Sequence, residues 1–352
     1  MGSCSLADVS VGPFKLVTCL LLLTQFAWGV DTSSITYDAA PGPGHGKHVV
    51  LLAGDEEYRS EESLPMLAKI LSQRQGFKCT VLFSLDDDGT IDPNRVESLS
   101  NPATLDSADA LVILLRFRHW NDATMRRFNV AVERGVPIIA LRTSTHAFSG
   151  FAAGSPWESW NYNNQGGWGK KVLGETWISH WGHHKFEATR GEPDPTAHDN
   201  PVLRGVRGVF GNTDVYEAYP PADAQVLLRG LVLKGMNSND PPAEYLKARA
   251  TDKQEQPVNK PPMPVAWTRE LKNESGQTNR VFCTTMGAAT DLENEGLRRL
   301  LVNAVFWGLH LEVPEQADVK LVDAYAPSMY GFNGFQHGVK PADLAVRHNL
   351  TK

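Results

Sequence analysis

The apolar and polar positions of this chain change period several times, and each change marks an element. Residues 48–53 open on His48 and continue as an unbroken apolar run, as expected of a strand covered on both faces of a parallel sheet. Residues 61–75 carry apolar positions at helical spacing after a capping Ser60, with acids and Pro65 early and Gly76 just beyond the end. That punctuation predicts a helix. Residues 78–84 and 110–115 repeat the strand pattern. Asn121 or Asp122 then caps a helix reaching Arg134, Gly135 closes it, and residues 136–141 give a fourth strand. Strands alternating with helices predict a parallel sheet with helices on both faces.

Beyond this point the periodicity weakens. Residues 149–221 are rich in Gly, Trp, Asn and Pro and read as long functional loops with short strands, not as a separate domain. Strand character returns at 226–233, a polar Pro-rich excursion covers 237–264, and 264–268 with 280–285 form a last strand pair. Residues 293–309 carry a stripe of Leu297, Leu300, Leu301, Ala304, Val305 and Leu309, the mark of a helix packed on the sheet. Residues 313–352 hold no strong element and are expected as an extension that wraps the surface or meets a partner.

At the other end, Lys15 precedes the apolar run 16–27, which closes on Ala27-Trp28-Gly29. This predicts a signal peptide over 1–29, a flexible Gly-rich linker over 30–46 and a domain over 47–312. The run is shorter than the roughly 20 apolar residues of a comfortable membrane span. Cys19 follows Val17-Thr18, a poor lipoprotein signal. The mature chain is therefore expected to be exported, periplasmic or secreted, with no integral membrane segment. A net charge of -6 without a basic run argues against nucleic acid as a partner. Cys79 and Cys283 remain after the signal is removed, both inside strand-like runs, and read as buried free thiols.

The candidate chemistry sits in segments that follow strands, where an open α/β sheet presents its ligands. After the first strand, residues 54–59 bring Asp55, Glu56, Glu57 and Tyr58, with Glu57 the acid–base candidate and Tyr58 beside it toward substrate. After the third come Arg116, Arg118 and His119, which either form a cationic mouth or neutralise the acids opposite. After the fourth, Arg142, Thr143 and His146 offer a cation, a hydroxyl and an imidazole, with no Gly-flanked nucleophile among them. His180, Trp181, His183 and His184 could face substrate beside an aromatic surface or ligate zinc. Lacking HExxH spacing and an acid in register, they are expected to hold no metal or cofactor. Asp214 and Tyr216 share one side of a strand and either bind substrate hydroxyls or satisfy each other. The acidic run at 86–89 reads as a solvated turn.

Taken in order, Ala53-Gly54, Pro137-Ile138-Ile139-Ala140-Leu141-Arg142, Asp214-Val215-Tyr216, Val281-Phe282-Cys283-Thr284-Thr285-Met286-Gly287 and Phe306-Trp307-Gly308 resemble the trehalose-utilisation, ThuA-like family. The resemblance spans about residues 47–311. It implies a flavodoxin-like three-layer α/β sandwich with a mostly parallel central sheet, related in fold to class I glutamine amidotransferases, and a link to sugars, often keto-disaccharides. Two positions depart from many relatives, which carry His where this chain has Arg142 and Ala288. The amidotransferase Cys has no counterpart, so thioester chemistry is not expected. The resulting expectation is an exported protein that binds or acts on a carbohydrate or keto-sugar derivative. Metal-independent acid–base hydrolysis or isomerisation would use Glu57 or His184 for the proton, with Arg116 and Arg142 stabilising charge on oxygen. A non-catalytic carbohydrate-binding or interaction module and a His-ligated metal-dependent hydrolase are the alternatives, and self-association is compatible with either.

Overall fold

Alternate residues of the central strands face opposite helical layers, and this sets the architecture. The computed structural model describes residues 1–3 and 32–346, so the expected signal segment falls outside the described residues save for its first three. In chain order the elements are β1 (Ser34–Tyr37), β2 (His48–Gly54), α1 (Ser60–Gln73), β3 (Lys78–Phe83), β4 (Ala110–Leu115), α2 (Asp122–Glu133), β5 (Ile138–Leu141), β6 (Thr189–Pro193), β7 (Val209–Gly211), β8 (Ala224–Val232), β9 (Leu246–Ala248), β10 (Glu255–Pro257), β11 (Met263–Lys272), β12 (Thr278–Thr284), α3 (Glu295–Gly308) and α4 (Pro341–Val346). Val49, Leu51 and Ala53 of β2 point into one apolar cluster with α1 and α3, whereas Val50 and Leu52 point into another with α2. The result is the expected three-layer α/β sandwich.

Ten strands form one sheet in the order β1-β3-β2-β4-β5-β12-β11-β8-β6-β7. The central run β3-β2-β4-β5-β12 is parallel. It continues through antiparallel strands on both flanks, so the whole sheet is mixed. The parallel strands aim their carboxyl ends at one edge.

Three local expectations are corrected. Residues 30–46 were expected as a flexible linker, yet 34–37 pair as β1 with β3. Gly42 and Gly44 lie so close to Gln75 and the Phe77 ring that a Cβ on either would collide. Ser60 is the first helical residue and not the cap: Arg59, left-handed at φ 59, precedes α1 without a side-chain cap. The polar excursion carries its own two-stranded sheet, β9 with β10. By contrast Asn121 caps α2 through the Thr124 N–H. The C-terminal segment wraps the domain, with Val313, Ala317 and Val319 in the core and the Val319 carbonyl held by Arg298 at 3.0 Å.

Cys79 and Cys283 are both free and fully buried. Three strands separate β3 from β12, a gap of about 19 Å at ordinary strand spacing and far beyond disulfide reach. Among the described residues, no helix is long and apolar enough to cross a membrane.

Candidate functional site

The carboxyl edge of the parallel strands is tied together by one buried carboxylate. Asp55, directly after β2, accepts the backbone N–H of Glu57 at 2.8 Å and that of Tyr58. Its other oxygen accepts the Thr143 hydroxyl from the segment after β5. Burial and the neighbouring Glu56 charge push Asp55 up to about 6 against those bonds. Thr143, expected to touch substrate, is thus spent on positioning. Arg59, Phe117 and Arg142 all hold left-handed backbone, a costly conformation for non-glycine residues that concentrates at functional sites.

The cations expected at the mouth divide by role. Glu56 accepts Arg116 and, at 2.8 Å, Arg118; Arg118 is wholly buried and also donates to the carbonyls of Arg116 and Pro93. Arg116 keeps some exposure and packs against the Phe117 and Phe332 rings at 4.3 and 5.0 Å. His119 turns away to Glu97 at 3.1 Å and does not join the group. Arg142 corrects the reading from sequence, which gave it to substrate. It is completely buried, lies over the Tyr58 and Tyr216 rings at 4.6 and 4.0 Å, and donates to the Asp214 and Thr285 carbonyls, both at 2.7 Å. Two aromatic faces and two carbonyls bind it from several sides, so it braces the site and cannot reach a ligand. Trp181 is corrected likewise: it is buried in the core with its indole N–H on the Val258 carbonyl at 2.8 Å, and its face is unavailable to a sugar.

What remains open is a carboxylate–imidazole cluster. Asp214 Oδ1 meets Arg142 at 2.8 Å and His184 Nδ1 at 3.0 Å, while Oδ2 meets His180 Nδ1 at 2.8 Å. His184 Nε2 in turn meets Glu57 Oε1 at 3.2 Å. Burial alone would raise Asp214, but the Arg142 charge and the histidine bonds outweigh it and hold the carboxyl well below its usual range. Burial likewise opposes ionisation of Glu57, and the bond and charge of His184 overcome it to keep Glu57 below the ordinary value. Hydrogen bonds to Asp214 and Glu57 raise His184 to about 9, so its imidazole is charged at neutral pH. The side chains of His180 and His184 stay 37% and 25% exposed, which makes them the polar groups a ligand can reach.

His146 supplies a neutral counterpart. Its ring is buried 5.2 Å from Phe117 and 5.7 Å from Trp177. Burial, with the charges of Arg116, Arg142 and His180, drives its pKa far down. His183, by contrast, faces outward to Glu187 at 3.1 Å. The Tyr216 hydroxyl contacts that of Tyr58 at 3.4 Å, so both tyrosines line the braced interior beneath the histidines. Reading the sequence missed Asp55 as the organiser, although an acid immediately after a strand was a usable signal, and Tyr330 as a neighbour of His184. The Trp expected to flank the histidine run is Trp177, beside His180 at 5.8 Å. One ligand atom each from His180, His184 and Asp214 lie within 4.8 Å of one another, and these three residues could hold a metal ion.

Fold and site together define a layered α/β protein with a histidine–carboxylate centre at the carboxyl edge of its parallel strands, its two described cysteines sealed in the core. The sequence profile of the ThuA family, described as trehalose utilisation, matches residues 48–308, and the chain belongs to that family. Among solved structures, a ThuA-like protein of Parabacteroides merdae is similar at 14% identity and a TM-score of 0.46, covering 81% of this chain and 97% of its own. One of Bacteroides uniformis is 16% identical with a TM-score of 0.45, over 77% and 94%. A cytoplasmic protein of Salmonella typhimurium is 13% identical with a TM-score of 0.41, over 74% and 98%. No curated protein matches the chain significantly.

Proposed function

We propose that this protein, exported from the cell, binds a carbohydrate or keto-sugar derivative at the carboxyl edge of its sheet and moves a proton on it. The observation that carries this reading is His184, clasped between Glu57 and Asp214 at 3.2 and 3.0 Å with a quarter of its side chain open to solvent. A ligand hydroxyl or carbonyl that enters between Glu57 and His184 meets a carboxylate able to accept a proton and an imidazole N–H able to donate one. Asp214, fixed by the buried Arg142, orients the imidazole. Membership of a family described by trehalose utilisation and the aromatic residues Trp177 and Phe117 near the histidines favour a sugar, whose apolar faces pack on such rings.

Turnover of disaccharides and their keto forms by Glu57→Gln and His184→Ala tests the chemistry. Losing one proton-transfer group lowers the rate by about 10²–10⁴; turnover unchanged in both variants removes them from the mechanism. Calorimetry that finds binding without any product leaves a binding module. A second reading, a metal-dependent hydrolase, is favoured by the three convergent ligand atoms of His180, His184 and Asp214, since imidazole and carboxylate are ordinary zinc ligands. Stoichiometric zinc in the purified protein, lost in His180→Ala, would establish it in place of the metal-free route.

A further inference from the structure

Residues beyond 308 lie outside the stretch that matches the family. From 322 to 344 they run along α1 and leave a cavity of about 330 Å³ between themselves and the helix, at the small end of the roughly 300–1,000 Å³ of ligand sites. It shares no residue with the histidine centre. The wall is apolar at Met66, Val322 and Leu344 and charged at Glu61, Glu62, Lys69 and Asp323. Three of these charges are engaged: Glu62 accepts the Ser328 backbone N–H and hydroxyl at 2.7 and 2.5 Å, and Lys69 pairs with Asp323 at 2.6 Å. Glu61 is the exception. Its carboxyl is closed to water, and neither oxygen has a hydrogen-bond partner beyond its own residue. Arg59 acts on it only through space, with Nη2 committed to the Gly331 carbonyl at 2.6 Å. A second, smaller void bordered by Ile91 and Val339 also adjoins Glu61, so free space meets this side chain on two sides.

We propose that the cavity is a second ligand site, built for a small aliphatic primary amine whose ammonium group pairs with Glu61. An ammonium brings three donors to a carboxyl that has none, and a charge-assisted bond of this kind is among the strong ones. The aliphatic stem lies against Met66, Val322 and Leu344, out of water. On the wall, Glu61, Glu62 and Asp323 stand against Lys69 alone, a balance that disfavours an anion, and an alcohol offers a single donor for two bare oxygens. In the free protein burial, with the charges of Glu62 and Asp55, outweighs the pull of the Glu61 backbone N–H and of Arg59 and raises Glu61 to about 8. Binding at pH 7 is therefore an exchange: the ammonium enters with its charge, and the Glu61 proton leaves to the buffer. The inference does not rest on the carbohydrate reading.

Calorimetry of the protein with n-butylamine at pH 7 tests it, run in phosphate and in HEPES, whose protonation enthalpies differ. Butylamine should bind about tenfold or more tightly than n-butanol or butyrate, and the two buffers should report the release of about one proton. Glu61→Gln should weaken butylamine by about the same factor and remove the buffer dependence. Should Glu61→Gln fail to fold, Ala326→Trp, at an exposed position on the cavity wall, fills the space with the carboxyl in place and should lower the affinity as much. No binding of butylamine, equal binding of butanol, binding without proton release, or an affinity unchanged in folded Glu61→Gln overturns the proposal.

Discussion

At the scale of single residues, the site divides into groups that hold and groups that are free to act. Asp214 belongs to the first: it is wholly buried, and it alone joins Arg142 to both histidines. Asp214→Asn keeps the shape but removes the charge facing a completely buried guanidinium. Breaking a buried pair in this way costs about 3–5 kcal/mol, because the surviving charge has no exit to water. Chemical denaturation should show the loss, and a variant within about 0.5 kcal/mol of wild type would mean that Arg142 is satisfied by its carbonyls and aromatic neighbours without the carboxylate. Sequence alone singled out Glu57, His184, Asp214 and Arg142, since each is a titratable or charged residue in a segment near a strand end. Their roles were less legible. Arg142 looked like a ligand-facing cation because nothing in its neighbours along the chain announces Tyr58 and Tyr216, which approach from distant segments to cover it.

At the scale of elements, legibility follows the strength of the local pattern. The apolar runs of β2, β4 and β5 and the stripe of α3 were readable because each buries enough side chains to impose its own period. β1 was not, since four residues with Ile35 as the only fully buried one carry too short an alternation, and its partner β3 creates the strand. The strands that flank this run hide the cysteines. Cys79 lies in β3 and Cys283 in β12, with burial raising both thiols well above their ordinary value, so neither is reactive in the native protein. A thiol reagent such as dithionitrobenzoate should label both only on unfolding. Rapid labelling of either in the native state would show that the sheet opens locally at that strand, contrary to its place between two paired strands.

At the scale of the whole molecule, the edge-on convergence of loops concentrates titrating groups whose stabilities run in opposite directions with pH. His184 is raised in the folded protein to about 9 from about 6.5 in an unfolded chain. Its contribution is therefore complete below about 6.5 and disappears as pH climbs through 9. Glu57 and Asp214 are lowered by folding, so their contribution is complete above about 4 and is lost as pH falls further. His146, forced neutral by burial and nearby cations, works against the fold once an unfolded histidine would take a proton, that is below about 6.5. Asp55 and Glu61 are raised by folding to about 6 and about 8, so both work against the fold as pH climbs above about 4. They share the decline toward alkaline pH, and His184 contributes the part of it between about 6.5 and 9. Denaturation midpoints measured from pH 5 to 10 should fall toward pH 9 in the wild type and, between about 8 and 9, above the values of both carboxyls, fall less in His184→Ala. An identical decline in both proteins would show that the clasp between Glu57 and Asp214 does not hold the imidazole in its charged form, and the assignment of His184 as the proton donor would fail with it.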